Sequence, residues 1–156
     1  MNVPEHWLRS FCDPSLKAEK LAHLLTMSGL EVESCTSVAP PIAGVVVGEI
    51  LKVERHPNAD KLTVCTVNSG KEKLQVVCGA PNVRAGMKAP LALAGARLGA
   101  IEIKAAALRG VASHGMLCSA KELGLSDDHS GLLELPATAK PGQDVRKLLG
   151  LDEQVL

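Results

Sequence analysis

The sequence contains no tyrosine, and its only aromatics, Trp7 and Phe11, lie within the first eleven residues. Beyond residue 11 there is no aromatic platform on which unpaired bases could stack. Net charge is lacking as well. Seventeen Lys and Arg offset seventeen Asp and Glu, giving a formal charge of zero and a pI of about 7.0, which excludes a globally basic, histone-like binder. No apolar run approaches the roughly 20 residues of a membrane-spanning helix. Met1–His6 does not resemble a signal peptide, so a soluble, cytoplasmic chain with no membrane partner is expected. Five cysteines (Cys12, Cys35, Cys65, Cys78, Cys118) are odd in number, widely spaced and without a C-x-x-C pair, the pattern of reduced thiols. His114 and Cys118, four apart, lack a second close ligand pair, and no metal site is expected. The phosphate-loop, dinucleotide, nucleophile-elbow and H-E-x-x-H signatures are all missing, and Asp127-Asp128 fits a solvated loop. No catalytic residue is expected.

What is present points to a packed domain. Hydrophobic residues make up 46% of the 156 and charged residues 22%, enough apolar side chain for a core. The charges are segregated. Residues 1–41 carry three bases and five acids, whereas residues 51–109 carry ten bases and four acids, a local net charge of +6. Such a basic middle permits local phosphate contact, and it equally fits lysines solvated at strand ends.

Along the chain, residues 1–37 form a partial helical subdomain, 38–41 a linker, 42–150 a β-rich domain and 151–156 the start of a following segment. Trp7, Leu8 and Phe11 share one side of a short helix. Asp13-Pro14-Ser15 predicts the start of a second helix, whose stripe of Leu16, Leu21, Leu24 and Leu25 ends at Gly29. Leu30–Glu33 alternates like a short strand. With so few apolar residues, this region cannot make a core alone. After the prolines at 40 and 41 the period changes to two. Strands are expected at 45–53, 61–67, 74–78, 87–94 and 101–108, with turns at 56–60 and 68–70 and breaks at Gly95 and Gly99. Short strands without long helices between them predict a mainly β fold with short helices, a small antiparallel barrel. Ser119–Glu122 fits a capping box, Leu132–Leu135 a further short strand and Asp144–Leu149 a closing helical turn.

Three segments then stand out in order: His56-Pro57-Asn58-Ala59-Asp60-Lys61-Leu62, Val77-Cys78-Gly79-Ala80-Pro81-Asn82-Val83, and Leu108-Arg109-Gly110-Val111-Ala112-Ser113-His114-Gly115-Met116-Leu117-Cys118-Ser119. They resemble the signature of the tRNA-binding OB-fold family found in several aminoacyl-tRNA synthetases and in free-standing tRNA chaperones. Trp7-Leu8-Arg9 with Phe11, and Leu24–Glu33, resemble the start of bacterial phenylalanyl-tRNA synthetase β subunits. Glu122-Leu123-Gly124-Leu125 and Gly131–Pro136 fit the same subunits. The resemblance implies a five-stranded OB-fold barrel plus a partial helical N-terminal subdomain, cut from a chain several times longer. It implies an accessory tRNA-binding role within a class II ligase, an α2β2 tetramer with an α subunit that holds the aminoacylation site and uses ATP and Mg²⁺. The fragment alone is then expected to be inactive and free of cofactors. Its helical segment would lack the later chain that completes it in the family, leaving Trp7, Phe11 and the leucines available for self-association.

Candidate phosphate contacts are Lys61, Arg84, Lys88, Lys104 and Arg109, because cations on a barrel face release counterions when they meet phosphates. Asn82 and Ser113 can hydrogen-bond a sugar or phosphate, and Met116 can lie against a base or ribose. In the wider family, positions matching Lys61, Ser113 and Met116 fall near the tRNA-facing surface. The competing account of most motif residues is architectural. Pro57 and Pro81 fix loops, while Gly79, Gly86, Gly110 and Gly115 permit tight turns or close approach. Without barrel aromatics, contact must rest on RNA shape and backbone. Two other functions stay open: a free-standing tRNA chaperone, which the Trp7–Glu33 segment argues against, and a docking domain with little tRNA contact.

Overall fold

The computed structural model describes all 156 residues. In chain order the elements begin with helices α1 (Glu5–Phe11) and α2 (Ala18–Met27) and strand β1 (Thr36–Ser37). Strands β2 (Ile42–Arg55), β3 (Thr63–Asn68), β4 (Lys73–Cys78) and β5 (Lys88–Leu98) follow. Shorter strands come next: β6 (Ile101–Glu102), β7 (Ala106–Leu108), β8 (Val111–Ser113) and β9 (Gly115–Leu117), then helix α3 (Val145–Leu148) and strand β10 (Gln154–Val155). No helix is long and apolar enough to cross a membrane. The chain divides into two compact units, one of Met1–Ala39 with Gly150–Leu156, the other of Pro40–Leu149.

In the first unit the two helices are short and mostly exposed, with Leu21 their one buried residue. Neither Asp13 nor Ser15 opens α2: Asp13 is held by Arg9 Nη1 at 2.8 Å, and the helix starts at Ala18 without a side-chain cap. The end of α2 is as expected. Gly29 at φ +95° lets Leu30 N–H reach Leu25 O (2.9 Å) and its own N–H reach Thr26 O (3.0 Å), a Schellman closure. Leu30–Glu33 is not a strand, because Val32 N–H bonds Thr26 Oγ1 (3.0 Å) and no ladder partner is present. Pairing falls to Thr36–Ser37, opposite Val155 and Gln154. Val3 bonds Leu156 through both its backbone groups on the other side of β10. Residues 151–156 are therefore part of this unit's small ribbon. Trp7 and Phe11 meet edge to face at 6.0 Å and are 51% and 76% exposed.

The second unit is a curled antiparallel sheet in the order β4-β3-β2-β5-β6, with β9 also on β5. Burial alternates along β3 and places Cys65 and Val67 inside, where they join Ile50, Val76, Met87, Ala89, Leu91 and Leu117 in one core. The free ends of the curl approach each other. His114 N–H bonds Gln75 O (2.9 Å), Val77 N–H bonds Ser113 Oγ (3.1 Å), and the Gln75 side chain bonds Ala112 O (2.8 Å). The ring β4-β3-β2-β5-β9 is the partly open barrel of an OB-like fold. Pro90 sits buried in the middle of β5 opposite Val47. It leaves no ladder bond missing there, because Val47 turns both backbone groups to Gly142 and Gln143 at 2.8 Å each.

The strand expected to break at Gly95 runs through it to Leu98 as β5, and two further expected elements differ. Residues 101–108 are not one strand: Ile103 keeps pairing with Ala96 and Gly95, after which the chain leaves the sheet and doubles back as the β7–β8 hairpin. Leu132–Leu135 is extended but joins no ladder; Leu133 N–H bonds Cys118 O and Leu135 N–H bonds Lys88 O. The capping box forms, with Ser119 N–H on Glu122 Oε2 (2.6 Å), and closes a turn rather than a helix. Asp144 caps α3 through Arg146 N–H at 2.9 Å.

Candidate nucleic-acid interface

At the end of β2 the chain turns through His56–Leu62 into β3. His56 is 5% exposed, and both its ring nitrogens are engaged. Its Nδ1 accepts from Asn58 N–H (3.0 Å), and its Nε2–H donates to Leu108 O (2.9 Å), which fixes the Nε2–H tautomer. The Asn58 side chain donates to Arg109 O at 3.0 Å. The β2–β3 loop thus grips two successive carbonyls of the β7–β8 hairpin. That hairpin pairs Leu108 with Val111 across a two-residue turn, Arg109 and Gly110, at φ 49° and 85°. Two positive φ values make it a type I′ turn, the twist-matched connection for two strands.

The remaining motif segment joins the same end. Thr63 Oγ1–H donates to Cys78 O (3.1 Å), and a Cβ on Gly79 would stand 3.2 Å from Leu62 Cδ2. Segments far apart in sequence therefore converge where the second and third barrel strands and their flanking loops leave the core. In OB-like folds this face and these loops receive oligonucleotides. Its outward residues on β3 and β4 include Thr66, Asn68, Lys73 and Gln75, in cross-strand register. Lys52, on the neighbouring strand, is neutralised by Glu54 at 2.7 Å.

The residues singled out from sequence divide into two groups. Lys61, Lys104 and Arg109 are exposed. The others have internal partners. Asn82 clasps Leu132 through both ends of its amide, at 3.1 and 2.8 Å. Lys88 Nζ donates to Ala137 O (2.7 Å) and Ala139 O (2.6 Å). Ser113 is buried, accepting from Val77 N–H and donating to Gly115 O (2.9 Å). Arg84 is ion-paired with Glu134. Met116 is half-buried on β9, opposite Ala92. The hydrogen-bonding atoms of Asn82, Lys88 and Ser113 hold loops to the barrel instead of standing ready for a ligand.

His56 and Asn58 lie within a motif, yet the sequence alone assigns them no role. The only available signal is a polar pair around a proline at a strand end, and nothing local reveals that its partners lie 51 and 52 positions away. Nor do the three buried thiols offer a nucleophile. Burial pushes Cys65, Cys78 and Cys118 upward, Cys118 to about 12, so they stay protonated and inert at neutral pH.

Residues 45–144 match the family described as "Putative tRNA binding domain". The chain is 59% identical over 154 residues to the phenylalanine–tRNA ligase β subunit of Aromatoleum aromaticum, matching 98% of this chain and 19% of that protein. It is 57% identical over 155 residues to the same subunit from Bordetella parapertussis, with the same coverage. The chain thus spans about a fifth of the length of these curated relatives. Among solved structures, a MetRS-related protein from Pyrococcus horikoshii shares the fold, with a TM-score of 0.50 at 23% identity over 65% of this chain and 87% of that one.

Proposed function

Because the matched domain takes in most of its length, the chain belongs to the tRNA-binding domain family, and we propose that it serves as the accessory tRNA-binding region of a phenylalanine–tRNA ligase β subunit. Contact is made at the barrel end built by the β2–β3 loop and the β7–β8 hairpin, with Lys61, Lys104 and Arg109 meeting phosphates. The observation that carries this reading is the convergence of the motif segments at that end, where Lys61 and Arg109 project without internal partners. With no aromatic on the barrel, binding is electrostatic and guided by RNA shape, so it is weak and discriminates little among tRNAs. Titrating a labelled tRNA should give log K falling against log salt with a slope of about −3, as expected for three phosphate contacts. Tight binding that ignores salt, or no binding at low salt, would count against the reading.

For the longer protein we propose aminoacylation with ATP and Mg²⁺ in a class II α2β2 assembly. In that reading the ATP and Mg²⁺ chemistry belongs to parts of the longer protein outside this chain. The fragment alone should show no phenylalanine-dependent pyrophosphate exchange. A docking role is favoured by a different observation, the apolar surface that Trp7, Phe11, Leu24 and Met27 expose on α1 and α2.

A further inference from the structure

We propose that Asn58 and His56 are positioning residues for RNA contact, holding the carbonyls of Arg109 and Leu108 so that Arg109 is presented at the hairpin tip in a left-handed conformation. This rests on the reading above that this end of the barrel meets tRNA.

A type I′ turn favours Asn, Asp or Gly at its first central position, where φ is positive. This turn has an arginine there, the only non-glycine residue in the chain with positive φ. For an ordinary L residue that conformation is strained, and single strained residues persist where the surroundings over-determine them. The surroundings here are specific. Asn58 Nδ2 holds the carbonyl of Arg109 itself and His56 Nε2 holds the one before it. His56 is in turn fixed by Asn58 N–H, so loop and hairpin form one closed set of bonds. The Arg109 guanidinium is exposed and makes no intramolecular bond, so folding gains nothing from its charge. A turn shaped for stability alone would place Asn at 109. A cation clamped in an unfavourable backbone points to an external anion.

The test uses the whole 156-residue chain, a labelled tRNA transcript at several salt concentrations, and thermal melting of each variant. Arg109→Asn should raise the melting temperature while lowering tRNA affinity several-fold and making the salt slope shallower by about 0.9, one phosphate contact. Asn58→Ala should lower the melting temperature, yet reproduce most of the Arg109→Asn loss in affinity and slope. The double variant should bind no worse than Arg109→Asn alone, because the two residues act as a unit. Asn58→Ser, neutral like the alanine variant and one atom shorter than the amide that reaches the Arg109 carbonyl, provides the same comparison if the alanine variant does not fold. A wild type that binds while Asn58 variants keep its affinity and slope would overturn the positioning role and leave the functional reading standing. Loss of binding in neither Lys61→Ala nor Arg109→Asn would instead overturn the choice of interface, and a wild type that does not bind at low salt would overturn the function itself.

Discussion

At the scale of single residues, Asn82, Lys88 and Ser113 have the chemistry of a ligand site and the geometry of fasteners. Asn82 bridges both backbone groups of Leu132, 50 positions away. Replacing it with Ala leaves that pair unsatisfied and should lower stability by about 1–3 kcal/mol, read from a denaturant midpoint. The salt slope of tRNA binding should stay at the wild-type value, because no phosphate contact is removed; a shallower slope would restore Asn82 to the interface. Residue type was legible in the sequence here, and role was not. An amide near Pro81 looks the same whether it faces RNA or a loop returning from position 132. For Lys61 and Arg109 it is exposure that was legible, because a cation in a turn beside glycine or aspartate has few ways to be buried.

Among elements, the long strands were the most legible. Burial alternating along β3 follows from period-two side chains, and the turns at 56–60 and 68–70 have the residues such turns need. Starts and breaks were harder to read. Asp13 lost its capping role to Arg9, whose guanidinium also engages Glu5, and that competition depends on α1 being folded. The apolar run from 101 to 108 concealed a departure from the sheet at Lys104. The helices carry their own prediction. With Trp7 half exposed, its emission should be red-shifted and readily quenched in dilute solution, and should shift to the blue as concentration rises if copies associate through α1 and α2. Leu24→Lys should weaken that association and spare tRNA binding. A blue, unquenchable tryptophan in a dilute monomer would contradict the exposed face.

For the molecule as a whole, the three buried thiols make stability depend on alkaline pH. Their folded values lie above the ordinary 9.0, so the native state holds protons that the unfolded chain releases. The stabilisation is complete below about pH 9 and is lost as pH rises toward 12. Under reducing conditions the denaturant midpoint should fall across that window, and Cys118→Ala should flatten the fall; an unchanged slope would mean Cys118 titrates normally when folded. The first unit cannot be completed from its N-terminal part alone. Its ribbon joins positions as distant as Val3 and Leu156, with the whole of Pro40–Leu149 between them. Closing so long a loop directly costs more conformational entropy than closing it after the intervening barrel has collapsed. With the effective loop cut to roughly ten residues, the saving is about 2 kcal/mol. The helices of this unit are therefore left without their closing strand until Gly150–Leu156 have been made, so the unit is completed only after the barrel that separates its two parts.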